Sequence, residues 1–141
     1  MSGGFDPAAL ARMLRSMPEE QLAEGLRVNR DTLLEGVFAR FGDHLTDAGR
    51  RERGAIKWKI SGAETADGYD RWFVILAEGR CETGRELDLA PRVTFTVAPL
   101  DFLRLIGGAA DPRRLWLTRR LGIRGDLLWA GRMPRFFRRP R

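Results

Sequence analysis

The segment from Pro91 to Met133 constrains the fold most, because short strand and helix patterns alternate there between closely spaced turn signals. The run VTFTV over 93–97 alternates apolar and hydroxyl side chains, which predicts a strand with one buried face. A helix is predicted to open at Pro99 and to end at Gly107-Gly108, since glycine favours helix ends. Elements this short bury their apolar sides only against a larger surface, so the segment requires a sheet.

The same segment continues with a second helix, a strand and a third helix. Asp111-Pro112 supplies a side-chain cap and a proline at the first helical position, and the run LWL follows. The run LGIRG over 121–125 predicts a strand, and Asp126 opens the last helix. Because proline cannot continue a helix, Pro134 is predicted to stop or kink that helix near Met133.

Three further strands are predicted upstream. Over 55–62, apolar residues alternate with lysines and a serine, which is typical of a half-buried strand. The run over 71–77 is almost continuously apolar, so this strand is predicted to be packed against other elements on both faces, or against a broad layer on one face. A third strand starts over 81–85 after a tight turn. Short connections favour antiparallel pairing, and the predicted fold is α+β, a sheet with helices on one face.

Helical patterns precede the first strand. Asp6-Pro7 and Pro18 each open a short helix, and Asp31 is predicted to cap a third and longer one that reaches Leu45. Apolar residues recur in this third helix at three- and four-residue steps, which indicates an amphipathic stripe. The stripe is expected to lie on the sheet.

The sequence carries no catalytic or metal-binding motif. It has one histidine, His44, and one cysteine, Cys81, and it lacks a glycine-rich phosphate loop and a nucleophile elbow. We therefore expect no enzyme, no metal and no cofactor, and we interpret Cys81 as a small strand residue. A single cysteine fits a reducing, cytoplasmic location.

Positive charge is concentrated at the C-terminal end. The net charge is +6, and from Arg113 onward ten arginines stand against one acid, Asp126. Such a field attracts an anionic membrane surface, an acidic partner or nucleic acid, although it also serves as a solvated surface. Nucleic acid is the least favoured of these, because the aromatic residues are predicted to be buried. Nothing in the sequence indicates the oligomeric state.

Apolar and aromatic residues are in surplus, with four tryptophans and eight phenylalanines. Several lie on the short C-terminal helices, which fill a core poorly, so an apolar cavity between helices and sheet is one interpretation. A dry, filled core is the other, and the pattern alone favours it.

The chain resembles the sterol carrier protein type 2 family of lipid-binding domains. The resemblance rests on an ordered series: the VFARF run at 37–41, the 56–62 strand, Phe73 to Cys81, and the whole 93–127 segment with its Gly107-Gly108. It covers most of the chain. It implies a helical leader over 1–30, the domain over 31–137 and a basic tail over 138–141.

The resemblance implies a five-stranded, mostly antiparallel sheet with helices over one face and an apolar tunnel between them. It also implies non-enzymatic carriage of a sterol, fatty acyl chain or phospholipid. The predicted tunnel lining combines residues of the sheet and its cover: Phe38, Phe41, Trp58, Ile60, Phe73, Ile75, Phe95, Val97, Phe102, Ile106, Leu115, Trp116, Ile123, Leu127, Trp129, Met133, Phe136 and Phe137.

Three features depart from the family pattern. Pro134 falls inside what the family keeps as a continuous closing helix, and the chain ends in RRPR instead of a peroxisomal signal. Trp116 and Trp129 are bulky for a roomy tunnel and predict a reduced or differently shaped cavity. The alternative function is therefore an accessory module with a filled core. It would dock on a membrane or partner protein through its arginine-rich C-terminus and Phe136-Phe137.

Overall fold

A five-stranded sheet organises the chain in the computed structural model, which describes residue 12, residues 16–87 and residues 89–138. Its strands lie in the order β3-β2-β1-β4-β5. Strands β1 and β4 are parallel, and all other neighbours are antiparallel, so the sheet is mostly antiparallel, as predicted. The strands are β1 (Gly54–Ser61), β2 (Tyr69–Ala77), β3 (Arg80–Gly84), β4 (Val93–Val97) and β5 (Leu121–Gly125).

The register assigns each strand residue to a face of the sheet. Trp58 lies beside Trp72 on one side and Phe95 on the other, and Phe95 lies beside Ile123. Cross-strand partners share a face, so these residues form one row beneath the helices. The neighbouring row contains Ile56, Val74 and Val93, all fully buried.

Phe73 and Ile75 lie on the opposite face, where they pair with Lys57 and Ala55. The prediction that they line the tunnel is wrong, because side chains alternate along a strand and Trp72, Val74 and Leu76 take the helix side.

Helix α1 (Glu19–Ala39) follows Pro18, as predicted, and a kink divides it into two helical parts, which agrees with the two helices that the sequence predicts. Asn29 has non-helical torsion angles inside it, so the break lies two residues before Asp31, and the predicted cap at Asp31 is wrong. The α-helix also ends earlier than predicted, and a 3-10 turn (Phe41–His44) replaces its last part. A short helix α2 (Asp47–Arg50) follows.

The three C-terminal helices agree with the sequence. They are α3 (Pro99–Ile106), α4 (Pro112–Leu117) and α5 (Leu127–Arg132). Asp111 accepts a hydrogen bond of 3.0 Å from the backbone N–H of Arg113, and Asp126 accepts one of 2.9 Å from Trp129. A 3-10 turn (Met133–Arg135) follows α5, so Pro134 ends the helix as predicted.

Phe38 lies at the centre of the core and is fully buried. Its ring stacks on Trp72, Phe102 and Phe41, with centroids 4.6, 5.3 and 5.2 Å away. The amphipathic stripe of α1 therefore packs onto the sheet and onto α3, as the periodicity indicates.

The first part of α1 belongs to the same packed unit. Leu22 and Leu26 are buried in the core with Phe38, so α1 crosses the predicted boundary between residues 30 and 31. The helix predicted at Asp6-Pro7 and the end of the basic tail lie outside the described residues. No helix in the described part of the chain is both long and apolar enough to span a bilayer.

Candidate functional site

A cavity of about 690 Å³ lies between the helix-facing side of the sheet and the covering helices. Its floor consists of Ile56, Trp58, Phe95 and Ile123, which come from three adjacent strands. The floor is apolar because these positions alternate in register with the polar residues of the other face. The preference of the sequence pattern for a filled core is therefore wrong.

The walls come from the short elements around the sheet. The end of α1 and the following turn contribute Val37 and Phe41, and α3 contributes Leu105 and Ile106. The remaining apolar lining comes from α4, α5 and the segment after it: Pro112, Trp116, Leu127, Ala130, Met133, Pro134 and Phe137. The roof thus consists of several short pieces, which leave space that one long helix would fill.

Small residues in the roof help to keep this space open. Gly107 and Gly131 both line the cavity. A Cβ atom built on Gly131 meets no atom within 4 Å, so the helix α5 presents empty space at this point.

Nine of the predicted lining residues meet at the cavity: Phe41, Trp58, Phe95, Ile106, Trp116, Ile123, Leu127, Met133 and Phe137. Seven others pack in the closed core: Phe38, Ile60, Val97, Phe102, Leu115, Trp129 and Phe136. Those seven do not border the cavity, and they pack in the core behind the residues that do. For them the predicted position in the lining is wrong, because pattern distinguishes a buried side chain from an exposed one but not a filled region from an open one.

The two tryptophans expected to reduce the cavity do not occupy its interior. Trp129 is fully buried, and its ring packs against Phe136 at a centroid distance of 5.7 Å. Trp116 lines the cavity but is 50% exposed, so it lies at the mouth. Neither tryptophan therefore fills the cavity.

Charged residues at the rim were not predicted. Five basic residues border the cavity: Arg40, His44, Arg113, Arg135 and Arg138. Asp111 is the single acid among the lining residues. A sequence signal existed for two of them. Val37, Arg40, Phe41 and His44 occupy positions i, i+3, i+4 and i+7 of a helical pattern, so they share one side of the chain.

The carboxylate of Asp101, at the start of α3, holds the rim in place. Asp101 is buried and accepts a hydrogen bond of 3.0 Å from Nε of Arg120, which precedes β5. Nη2 of Arg120 binds the other carboxylate oxygen, so the contact is a two-point ion pair. It connects α3 to the turn between α4 and β5, at the side of the cavity that Ile106 and Trp116 line.

Phe136 and Phe137 are packed into the fold. Phe136 is 2% exposed, and Phe137 forms an isolated bridge with Leu45 and an edge-on contact of 5.3 Å with Phe41. The ring of Phe136 is therefore closed off from a partner, whereas that of Phe137 is half-buried.

Cys81 does not line the cavity. Its thiol lies on the edge strand β3, and burial, with a smaller contribution from the charge of Glu82, raises its pKa to about 11. A thiol with this pKa is almost entirely protonated at neutral pH and is a poor nucleophile. Among residues 16–87 and 89–138, no three histidine, cysteine or acidic side chains are grouped to hold a metal ion.

A five-stranded sheet that floors an apolar cavity beneath short helices defines a class of α+β proteins built around an interior binding space. The chain belongs to the SCP-2 sterol transfer family, whose model matches residues 40–138. No curated protein matches the chain.

Solved structures share the fold at low identity. Sterol carrier protein 2 like 2 from Aedes aegypti is 24% identical in its crystal structure, with a TM-score of 0.55 over 79% of this chain and 98% of that one. The solution structure of the palmitated form of this Aedes aegypti protein is also 24% identical, with a TM-score of 0.53 over 74% of this chain and 90% of that one. An inverting sec-alkylsulfatase from Pseudomonas sp. is 13% identical, with a TM-score of 0.60 over 72% of this chain and 16% of that longer one.

Proposed function

We propose that this protein binds and carries an acyl-bearing amphiphile, with the tail in the cavity and an anionic head group at the basic rim. The observation that carries the proposal is the 690 Å³ cavity, which has an apolar floor and walls. That volume lies inside the range of about 300–1,000 Å³ that is usual for small-molecule sites. Membership of a sterol transfer family supports carriage of a hydrophobic molecule.

The free energy of binding would come mainly from burial of the tail. Each methylene removed from water contributes about 0.8 kcal/mol, so a long acyl chain needs no directional contact inside the cavity. The palmitated form of the mosquito relative supports an acyl tail as the occupant.

The rim favours an anionic head group over a neutral sterol hydroxyl. Arg40, Arg113 and Arg135 line the cavity, and no carboxylate lies within salt-bridge distance of them among the described residues. A carboxylate or phosphate at the mouth would gain charge-assisted hydrogen bonds from arginine, which a hydroxyl group gains only weakly.

The test is displacement of a fluorescent acyl probe by palmitate, methyl palmitate and cholesterol. We expect palmitate to displace it best, and Arg135→Gln to weaken palmitate but leave methyl palmitate unchanged. Absence of binding by all three compounds would refute the function. Equal loss for palmitate and its ester would refute the role of the rim.

A pair of isoleucine variants distinguishes the cavity from unspecific apolar binding. Ile123→Trp would fill the floor of the cavity and abolish probe binding, since Ile123 is a lining residue. Ile75→Trp places the same bulk on the opposite face of the sheet and should bind as the wild type does. Both isoleucines are partly exposed, which makes the pair a fair comparison.

A further inference from the structure

The mouth of the cavity carries an unusual amount of exposed apolar surface. Six large hydrophobic side chains are exposed in the described part of the chain, and four of them belong to α4 and the start of α5. Trp116 and Leu117 are 50% and 73% exposed, and Leu127 and Leu128 are 55% and 85% exposed. Single exposed leucines are ordinary, but four exposed apolar side chains on two short helices, two of which line the cavity, point to a contact surface.

The two helices present these side chains at one place. Trp116 and Leu127 line the same cavity, and both helices pack against β5. Leu117 and Leu128 follow them directly in the chain, on the more exposed side. The exposed apolar surface is therefore continuous with the apolar interior of the cavity at Trp116 and Leu127.

Positive charge surrounds this apolar group. Between Asp111 and Asp126 the chain has five arginines and no acid. Arg113, Arg114 and Arg119 are exposed, and among the described residues none of the three has a salt-bridge partner. The fourth, Arg120, is engaged by Asp101.

We propose that α4, the turn after it and the first turn of α5 form a docking face for an anionic lipid bilayer. The docking face consists of Trp116, Leu117, Leu127 and Leu128 with Arg113, Arg114 and Arg119. Its apolar side chains enter the boundary between head groups and acyl chains, where tryptophan and leucine are stable, while the arginines bind lipid phosphates.

Charge and apolarity together select the occupant. Nucleic acid would satisfy the arginines but would leave the three leucines in water, whereas a bilayer satisfies both kinds of side chain. Docking would place the mouth against the membrane, so that a lipid tail could enter or leave without crossing water. The docking itself does not rest on the proposed cargo, because vesicle binding is measured with no ligand added.

The experiment is cosedimentation of the full chain with vesicles of phosphatidylcholine and phosphatidylglycerol in equal parts, and with vesicles of phosphatidylcholine alone. We expect binding to the anionic vesicles that weakens with salt, and little binding to the neutral ones. No binding to the anionic vesicles would overturn the proposal. Binding of duplex DNA without vesicle binding would assign the face to nucleic acid instead.

A leucine variant tests the apolar contribution. Leu117→Ser with Leu128→Ser removes apolar surface without touching the cavity lining and should weaken anionic-vesicle binding about tenfold or more. Val28→Ser, at a 65% exposed position of α1, is the control and should bind as the wild type does. Unchanged binding of the leucine variant, or an equal loss in Val28→Ser, would overturn the docking face.

An arginine variant tests the charge at the same place. Arg114→Gln with Arg119→Gln should weaken binding to anionic vesicles about 25-fold at low salt, from about fivefold for each cation. Lys57→Gln with Lys59→Gln removes the same charge from the opposite face of the sheet and should have little effect. An equal loss in both variants would show attraction by net charge alone and would overturn the assignment.

A spectroscopic readout locates the contact. Trp58, Trp72 and Trp129 are buried, so Trp116 is the tryptophan open to solvent. Lipids with brominated acyl chains in the anionic vesicles should quench the fluorescence of the wild type, and Trp116→Phe should lose that quenching. Circular dichroism and melting temperature verify that each variant is folded. Quenching that persists in Trp116→Phe would contradict insertion of this face.

Discussion

The indole Nε1 of Trp129 donates a hydrogen bond of 2.8 Å to the carboxylate of Glu52, which lies 77 residues earlier in the chain. The guanidinium group of Arg92 lies over the same ring, 4.4 Å from its centroid, and also binds Asp126 at the start of α5. Trp129 therefore fixes the helix that closes one side of the cavity to the segment before β1.

We expect Trp129→Phe to lower the free energy of unfolding by about 2–3 kcal/mol, because it removes a buried hydrogen bond to a charged group and leaves a small void. Urea unfolding followed by circular dichroism measures the change. The loss of the anchor should also loosen α5 and raise hydrogen exchange at its backbone amides.

Trp72→Phe is the matched control for this prediction. Trp72 is also buried and loses a similar volume, but its Nε1 has no hydrogen-bond acceptor among the described residues. Removing an unpaired N–H relieves a cost, so this variant should lose clearly less stability than Trp129→Phe. If the two variants are equally destabilised, the hydrogen bond to Glu52 does not contribute as we argue.

Gly125, the last residue of β5, and Gly131, within α5, should respond in opposite directions to substitution by alanine. Gly125 has φ +106°, and a Cβ there would lie 2.5 Å from the carbonyl oxygen of Arg92, so Gly125→Ala should cost about 2 kcal/mol or more. Gly131 lies within the helix and its Cβ would meet open space, so Gly131→Ala should stabilise by about 0.5–1 kcal/mol. Thermal unfolding of both variants measures the difference, and a shift of the same sign in both would contradict it.

The sequence predicts the elements of the sheet well but not the faces of β2. The run from Trp72 to Leu76 is apolar at every position, so alternation cannot show which side faces the helices. Asp70 obscures the pattern further. It lies on the helix side and is buried, because Arg30 and Arg85 neutralise it at 2.9 and 3.2 Å. Only the pairing with β1 decides the register.

The cavity and its rim are harder to predict, because they depend on where separate segments meet. Arg135 and Arg138 reach the rim only because the chain after Pro134 returns to the end of the 3-10 turn near His44. Two backbone hydrogen bonds hold it there, from Thr46 to Phe136 at 2.8 Å and from Arg138 to His44 at 2.7 Å. No periodicity in the sequence encodes this contact across the chain.

Asp126 should make the free energy of unfolding decrease as the pH falls into the acid range. The backbone N–H of Trp129, and then the guanidinium group of Arg92, lower the pKa of this carboxylate below its usual value of 3.8. A lowered pKa in the folded state stabilises the protein above the unfolded pKa, and this contribution is lost as pH falls through the folded one. Asp126→Asn retains a cap but loses the charge, so its melting temperature should fall less than that of the wild type between pH 5 and pH 2. An equal fall in melting temperature for the wild type and Asp126→Asn would show that this carboxylate does not contribute to the acid dependence of stability.

Cys81 should make the free energy of unfolding decrease as the pH rises into the alkaline range, which is the opposite pH dependence to that of Asp126. Burial raises the pKa of the folded thiol from 9.0 to about 11, so between these values the unfolded chain ionises while the folded chain keeps its proton. The unfolded state then binds fewer protons, and the free energy of unfolding falls as pH rises through 9. Cys81→Ser lacks this ionisation, whereas all other groups that titrate in alkali remain, so the wild type should lose more stability than the variant between pH 8 and pH 11.

The rate at which iodoacetamide alkylates Cys81 provides a second measurement. It should be low at pH 8 in the folded wild type and should rise in urea, because unfolding restores the ordinary pKa. Rapid alkylation of the folded protein at pH 8 would show that the thiol is more accessible than its position on β3 allows.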